Sequence, residues 1–251
     1  MHDRRRTLPG IALALGILLL AGGAPADVAE AAKRPRPTPT PTPTSLAFAG
    51  RTWTIKSASS LVGPGPNRFS AAGTWVDATG NLHLRIAKDA KGRWQSAEVY
   101  LPTSLGYGTY TWTLASRVDA LDPNVVLGLF TYETDVREID IEMARWGVPS
   151  DPTNAQYVVQ PWDRADHLQR FTQPALVSSE HRFTWSPGRV DFAGRSADGS
   201  WTVTWSHAGP DVPPPGGERV HMNLWLYGGR APMNGRAAEV VISGFTFAPL
   251  P

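Results

Sequence analysis

The five residues Glu138-Ile139-Asp140-Ile141-Glu142 alternate acids with branched apolar side chains. A β-strand sends successive side chains to opposite faces, so Glu138, Asp140 and Glu142 share one face while Ile139 and Ile141 share the other. Three carboxyls on one face repel one another, and a purely structural strand gains nothing from that crowding behind a dry apolar face. Cleavage of a glycosidic bond is a chemistry that uses it. That reaction needs two carboxyls in different protonation states, and a third acid between them can keep them different. Cα atoms four residues apart on a strand lie roughly 13 Å from each other, so two long Glu side chains must lean together to approach the ~5–5.5 Å of a retaining pair. The same pattern also reads as an exposed edge strand whose acids face water, or as a calcium site.

Strands that position such a trio should be two-faced as well. In residues 126–132, Gly128, Phe130 and Tyr132 form one face against Leu127, Leu129 and Thr131. In residues 221–227, His221, Asn223, Trp225 and Tyr227 oppose Met222, Leu224 and Leu226. The Met and Leu row belongs between sheets, which turns His, Asn, Trp and Tyr outward, where a soluble protein normally places small polar groups. A sugar accounts for that choice, because aromatic faces accept the C–H-rich faces of pyranose rings and amides bind hydroxyls at the rim. A one-residue slip would reverse both faces and make Trp225 ordinary core.

The acidic run resembles the catalytic signature of glycoside hydrolase family 16, the group of lichenases, laminarinases, agarases and plant xyloglucan transglycosylases. The resemblance implies that Glu138 is the nucleophile, Glu142 the acid/base and Asp140 their assistant. The regular spacing is that of lichenases and xyloglucan transglycosylases, without the extra residue of laminarinases and agarases. Further similar stretches are Ser96-Ala97-Glu98, Leu105 to Tyr110, Leu129-Phe130-Thr131-Tyr132, His181 to Trp185 and Met222-Asn223-Leu224-Trp225. They imply sugar contacts at Glu98, Phe130, Tyr132, Asn223 and Trp225, with Asn67 on a cleft-edge loop and Gln156 and Gln160 on the strand after the signature. Four positions depart from the lichenase pattern. Val136 stands where a platform Trp is expected two residues before the nucleophile, Arg137 replaces the usual Asp, and Val158 and Gln160 occupy positions of Asn and Tyr. The resemblance also implies a two-sheet β-jelly-roll sandwich, concanavalin A-like, with an open cleft on its concave sheet.

The rest of the chain agrees with that class. Residues 1–31 read as a secretory signal, with Arg4, Arg5 and Arg6 ahead of an apolar run and small residues at the cleavage site. Residues 32–44 are a Pro/Thr spacer suited to extended conformations, and residues 45–251 form one catalytic domain. The chain carries a net charge of +2, but with 6 basic and 3 acidic residues before position 45 the remainder holds 18 and 19, a net of −1. Nothing there invites nucleic acid. Short runs rich in Val, Ile, Thr and aromatics, punctuated by turns such as Ala197-Asp198-Gly199, make the domain all-β. With 0 cysteines in an exported chain, the core alone must supply stability. His83, His167, His181 and His207 are scattered without a metal-binding spacing and read as surface or capping residues; Trp53, Trp75, Trp185, Trp201 and Trp205 read as core.

The expectation is therefore a secreted, retaining endo-β-glycanase acting on a β-1,3- or β-1,3-1,4-glucan-type polysaccharide. It needs no cofactor, although a structural calcium ion of the kind common in such sandwiches has no place the sequence can assign. The polysaccharide is the expected partner, with no nucleic acid, no membrane beyond export, and a monomeric chain. A non-catalytic carbohydrate-binding jelly roll and a cell-wall transglycosylase are the alternatives.

Overall fold

The structure is a computed structural model that describes residues 44–250; the signal at 1–31 and spacer residues 32–43 lie outside the described residues. Sixteen strands follow in order: β1 (Ser45–Phe48), β2 (Arg51–Ile55), β3 (Thr74–Val76), β4 (Leu82–Lys88), β5 (Trp94–Gln95), β6 (Ala97–Tyr100), β7 (Gly108–Leu114), β8 (Val125–Thr134), β9 (Arg137–Met143), β10 (Ala155–Val159), β11 (Leu168–Phe171), β12 (Ser179–Ser186), β13 (Arg189–Ser196), β14 (Thr202–Ala208), β15 (Arg219–Leu226) and β16 (Ala238–Pro249). Two three-residue 3₁₀ turns, Ala71–Gly73 and Tyr227–Gly229, are the helical elements among the described residues.

The strands form two antiparallel sheets. One, the cleft sheet, runs β1-β2-β6-β15-β8-β9-β10-β11; the other, the back sheet, runs β14-β13-β12-β7-β16-β4-β3, with β5 paired to β4. Packed face to face they make the expected jelly-roll sandwich. The core lies between them. Leu127 and Leu129 of β8, Ile139 and Ile141 of β9, Tyr157 and Val159 of β10, and Met222 and Leu224 of β15 share one cluster with Tyr110, Trp112, Phe183, Trp185, Phe192, Val240 and Phe245 of the back sheet. Each such side chain contributes about 1.5–3 kcal/mol on burial.

That burial fixes the register of β9. Ile139 and Ile141 are fully buried in the core, and shifting the strand by one residue would put three acids between the sheets instead. The register of β15 follows the same rule, with Met222 and Leu224 fully buried. β9 is also an interior strand, hydrogen-bonded to β8 on one side and β10 on the other. The exposed-edge reading of the acidic run is thereby excluded.

Of the five tryptophans read as core, two lie fully within it and three do not. Trp53 and Trp185 are core, Trp201 and Trp205 pack partly buried against it, and Trp75 stacks on His83 at 4.7 Å. Three of the four histidines differ as well. His167, His181 and His207 are buried, not surface or capping residues. Their neighbours come from strands distant in sequence, which local spacing could not reveal. His181 sits deep enough that burial pushes its imidazole down to about 3, and its Nε2 pairs with Gln173 Oε1 at 2.8 Å.

Candidate active site

The outer face of the cleft sheet carries one continuous depression lined by Glu138, Asp140 and Glu142 of β9, Gly128, Phe130 and Tyr132 of β8, and His221, Asn223 and Trp225 of β15. Period-two alternation puts all nine there. Across β8, Glu138 stands opposite Tyr132, Asp140 opposite Phe130 and Glu142 opposite Gly128. Gly128 leaves room that no other residue could: a Cβ there would lie 2.6 Å from Asn223 Oδ1 and 3.3 Å from the Phe130 ring.

Each acid is held by a specific partner. Gln156, directly across β10 from Glu142, donates from Nε2 to Glu142 Oε2 at 2.7 Å. Its own Oε1 accepts from Trp146 Nε1 and from Arg170 Nη1, both at 3.1 Å. Gln160 donates from Nε2 to Asp140 Oδ2 at 2.9 Å and accepts the Trp162 N–H at Oε1, also at 2.9 Å. Both glutamines were read from the sequence as sugar contacts. Both line the cleft, and their amides also orient the acids, because β10 lies beside β9 with those side chains on the same face.

The electrostatics follow from this crowding. Burial pushes Glu142 up to about 8, helped by the nearby Asp140 and opposed by Gln156 and Arg170. Asp140 is raised well above the usual carboxylate range by burial, by the charge of Glu138 and by the hydrogen bond between them. Burial also pushes Glu138 up to about 8, with Glu142, Asp135 and Glu98 adding to the rise, but the hydrogen bond from Asp140 opposes it. Glu138 is thus the member of the trio on which a shared negative charge is stabilised by another acid's proton.

Glu98 of β6 forms the second charged group of the cleft. Burial alone would raise its pKa, but the hydrogen bond with His221 and the charge of Lys56 outweigh that and lower it. Lys56 Nζ lies 2.9 Å from Oε2 and His221 Nδ1 2.9 Å from Oε1. His221 is stacked between Tyr100 and Phe130, with ring centroids 5.2 and 5.0 Å away. Glu98 therefore lines the cleft but is tied into its floor.

Asn67 does not reach the cleft. It is 2 % exposed, its Nδ2 donates to the carbonyls of Pro64 and Leu226, and its Oδ1 accepts from Ser96 Oγ and the Leu226 N–H. With all four hydrogen-bonding positions used by protein, it brackets the loop before β3 to the end of β15. The sequence placed it on a cleft edge because those partners lie up to 159 residues away.

Val136 is 58 % exposed in the turn between β8 and β9 and offers no floor to the cleft. Arg137 points away from the acids, as alternation predicts, and pairs with Glu133 at 2.6 Å. Two tryptophans that the sequence reading passed over stand beyond Glu142. The cleft continues there between Trp146, Trp162, Leu168, Trp225 and Tyr227. Trp146 crosses Trp225 at 6.1 Å and Tyr227 at 5.5 Å, while Trp162 is 63 % exposed. The signals were a Trp-Gly turn immediately after the acidic strand and a Trp two residues after Gln160.

Within this cleft the imidazole of His221 is committed to Glu98 at 2.9 Å. Imidazoles able to hold a metal gather elsewhere: His167, His207 and Asp211 meet at the open edge of the sandwich, contrary to the expectation of scattered histidines.

The two-sheet jelly roll is a fold that solved β-glucanase structures share. Among solved structures it is similar to the Bacillus licheniformis β-glucanase, at 16% identity and a TM-score of 0.63 over 84% of this chain and 100% of that one. A prokaryotic β-1,3-1,4-glucanase (lichenase) from a mouse hindgut metagenome matches at 19% identity and a TM-score of 0.62, covering 81% of this chain and 96% of the other. A Mycobacterium tuberculosis protein described as an immunostimulatory antigen and pseudo β-1,3-glucanase matches at 21% identity and a TM-score of 0.56, over 81% and 90%. No protein-family model and no curated protein matches the sequence.

Proposed function

We propose that this chain is a secreted, retaining glycoside hydrolase of the family 16 type that cleaves an internal β-linkage of a glucan-like polysaccharide. The observation that carries the reading is the trio Glu138, Asp140 and Glu142 on one interior strand, two of its members held by Gln156 and Gln160, in a cleft lined by aromatic rings. The fold alone does not decide activity, since one protein that shares it is described as a pseudo-glucanase. A binding surface would have no use for two glutamines that aim buried acids.

In the proposed reaction, Glu138 attacks the anomeric carbon through a carboxylate oxygen as the bond to the departing sugar oxygen breaks, and Glu142 gives its proton to that oxygen. Glu142 then takes a proton from water, the water oxygen bonds to the anomeric carbon, and Glu138 is released. Asp140 supplies its proton as a hydrogen bond to Glu138, and its position beside Glu142 disfavours loss of the Glu142 proton before substrate binds. Trp225, Trp146 and the exposed Trp162 are proposed to receive sugar faces on the Glu142 side, with Tyr132 and Phe130 toward Glu138 and Asn223 and Glu98 in the cross-strand row of Glu142. Trp162 would supply the stacking surface that Val136 does not.

The test is release of reducing ends by the purified mature protein from a panel of β-1,3-glucan, mixed-linked glucan, xyloglucan and galactan, with Glu138→Ala as control. Chain shortening of one polymer that disappears in the variant supports the reading. Saturable retention of a polymer without cleavage at any pH would assign a binding module instead, and products longer than the substrate would assign a transglycosylase.

A further inference from the structure

We propose that His167, His207 and Asp211 form a zinc-binding clasp that joins the edge strands of the two sheets. His167 immediately precedes β11, the last strand of the cleft sheet, and His207 lies on β14, the first of the back sheet. Asp211 comes from the connection between β14 and β15. One ligand atom from each of the three lies within 4.8 Å of the other two, and the imidazole centroids are 4.4 Å apart.

The hydrogen bonds fix what each ring offers. His167 Nδ1 lies 2.7 Å from the Val159 carbonyl and His207 Nδ1 2.8 Å from the Asp166 carbonyl. A carbonyl only accepts, so each Nδ1 bears a hydrogen and each Nε2 is the ring atom left to face a further partner. Both Nε2 atoms face the same carboxylate: His167 Nε2 is 2.6 Å from Asp211 Oδ2 and His207 Nε2 is 3.3 Å from Oδ1. Such contacts call for a positive charge between nitrogen and oxygen, which a proton or a metal ion supplies, and an ion can serve all three groups at once. An Nδ1–H bound to a backbone carbonyl is also the usual outer support of an imidazole that ligates a metal through Nε2.

The donor set selects the ion. Two nitrogens and one carboxylate suit a borderline divalent ion, whereas calcium and magnesium take oxygen ligands. Zinc bonds of about 2.0–2.2 Å in a tetrahedron hold their ligand atoms roughly 3.4 Å apart. One separation, His207 Nε2 to Asp211 Oδ1 at 3.3 Å, already matches, while His167 Nε2 to Oδ2 at 2.6 Å is closer and would open as the ion enters. The histidines are 2 and 7 % exposed, while Asp211 is partly open to solvent and gives an entry path. Glycine at 209 lets the carboxylate sit where it does, since a Cβ there would come within 2.4 Å of Asp211 Oδ1 and push that side chain aside. In a chain with 0 cysteines, such a clasp takes the place a disulfide would fill. It also anchors Val159, next to the Gln160 that orients Asp140.

The experiment uses untagged protein stripped with a chelator, then titrated with zinc alone. Retention of about one zinc per chain through gel filtration is expected, with a rise in melting temperature of roughly 5–10 °C at free zinc 100-fold above Kd. Cobalt in place of zinc should give visible d–d bands. Asp211→Asn and His207→Ala should each weaken zinc binding at least tenfold and remove the thermal shift. Should His207→Ala fail to fold, Asp211→Asn, at a partly exposed position, carries the test. Wild-type protein that retains no zinc, or variants that bind it as the wild type does, would overturn the clasp and leave an imidazole–carboxylate hydrogen-bond cluster.

Discussion

Replacing Glu142 by Gln should make the protein more stable at neutral pH, and the size of the gain follows from the electrostatics of the trio. In the folded protein, burial and Asp140 push Glu142 up to about 8 from an ordinary value of 4.5. An acid with a raised folded pKa favours the folded state fully only below its unfolded pKa. As pH climbs from 4.5 toward 8, the unfolded chain ionises first and stability is lost. At pH 7 about 2.5 units of that interval have opened, a ceiling of about 3 kcal/mol at ~1.4 kcal/mol per unit. Glu142 is reached by cleft water, which screens part of this, so about 1–3 kcal/mol is expected. Gln has the same shape and keeps an oxygen for the Gln156 Nε2 donor, so the substitution isolates the charge. Thermal melts of both proteins at pH 4 and pH 7 read it out. The two should coincide at pH 4, and Glu142→Gln should melt roughly 3–10 °C higher at pH 7. Equal melting at both values, or a less stable variant at pH 7, would refute the claim that this carboxyl is held protonated by its surroundings.

Other outcomes follow from the same geometry. Activity should rise with pH as Glu138 loses its proton and fall as Glu142 loses its own. Because both are displaced upward, the optimum of kcat/KM should lie near neutral or above, not at pH 4–5. Gln156→Leu removes the hydrogen bond that lowers the Glu142 pKa, so the alkaline limb should move up and kcat should fall with little change in KM. Gly128→Ala, whose Cβ would strike Asn223, should cost about 1–3 kcal/mol and raise KM. Asn67→Ala strips four buried hydrogen bonds from the loop before β3. It should cost about 2–3 kcal/mol in a denaturant titration while leaving the KM of any protein that folds nearly unchanged.

What the sequence disclosed was local and periodic. Glu138, Asp140 and Glu142 could be put on one face, and Met222 and Leu224 on the other side of their strand, because alternation is a property of the strand itself. Arg137 turning away from the acids followed from the same rule. Side-chain commitments across strands did not. Gln156 and Gln160 share the cleft face as expected, yet pairing of β10 with β9 directs their amides at carboxyls. Asn67 faces inward because residues 96 and 226 fold onto it. His167, His207 and Asp211 come from different sheets and a connecting loop, so no spacing could announce them. Trp162 is a surface residue whose meaning depends on Gln160 bending the chain past the acids.

The most direct measurement is covalent trapping. The mature protein is incubated with a 2-deoxy-2-fluoro β-glycosyl oligosaccharide carrying a dinitrophenyl leaving group, built from the sugar of the polymer it degrades, and is then digested for mass spectrometry. The account predicts one added glycosyl unit per chain on the peptide that contains Glu138, at the Glu138 carboxylate. An absent adduct, or one carried by Glu142 or by any other residue, would contradict it.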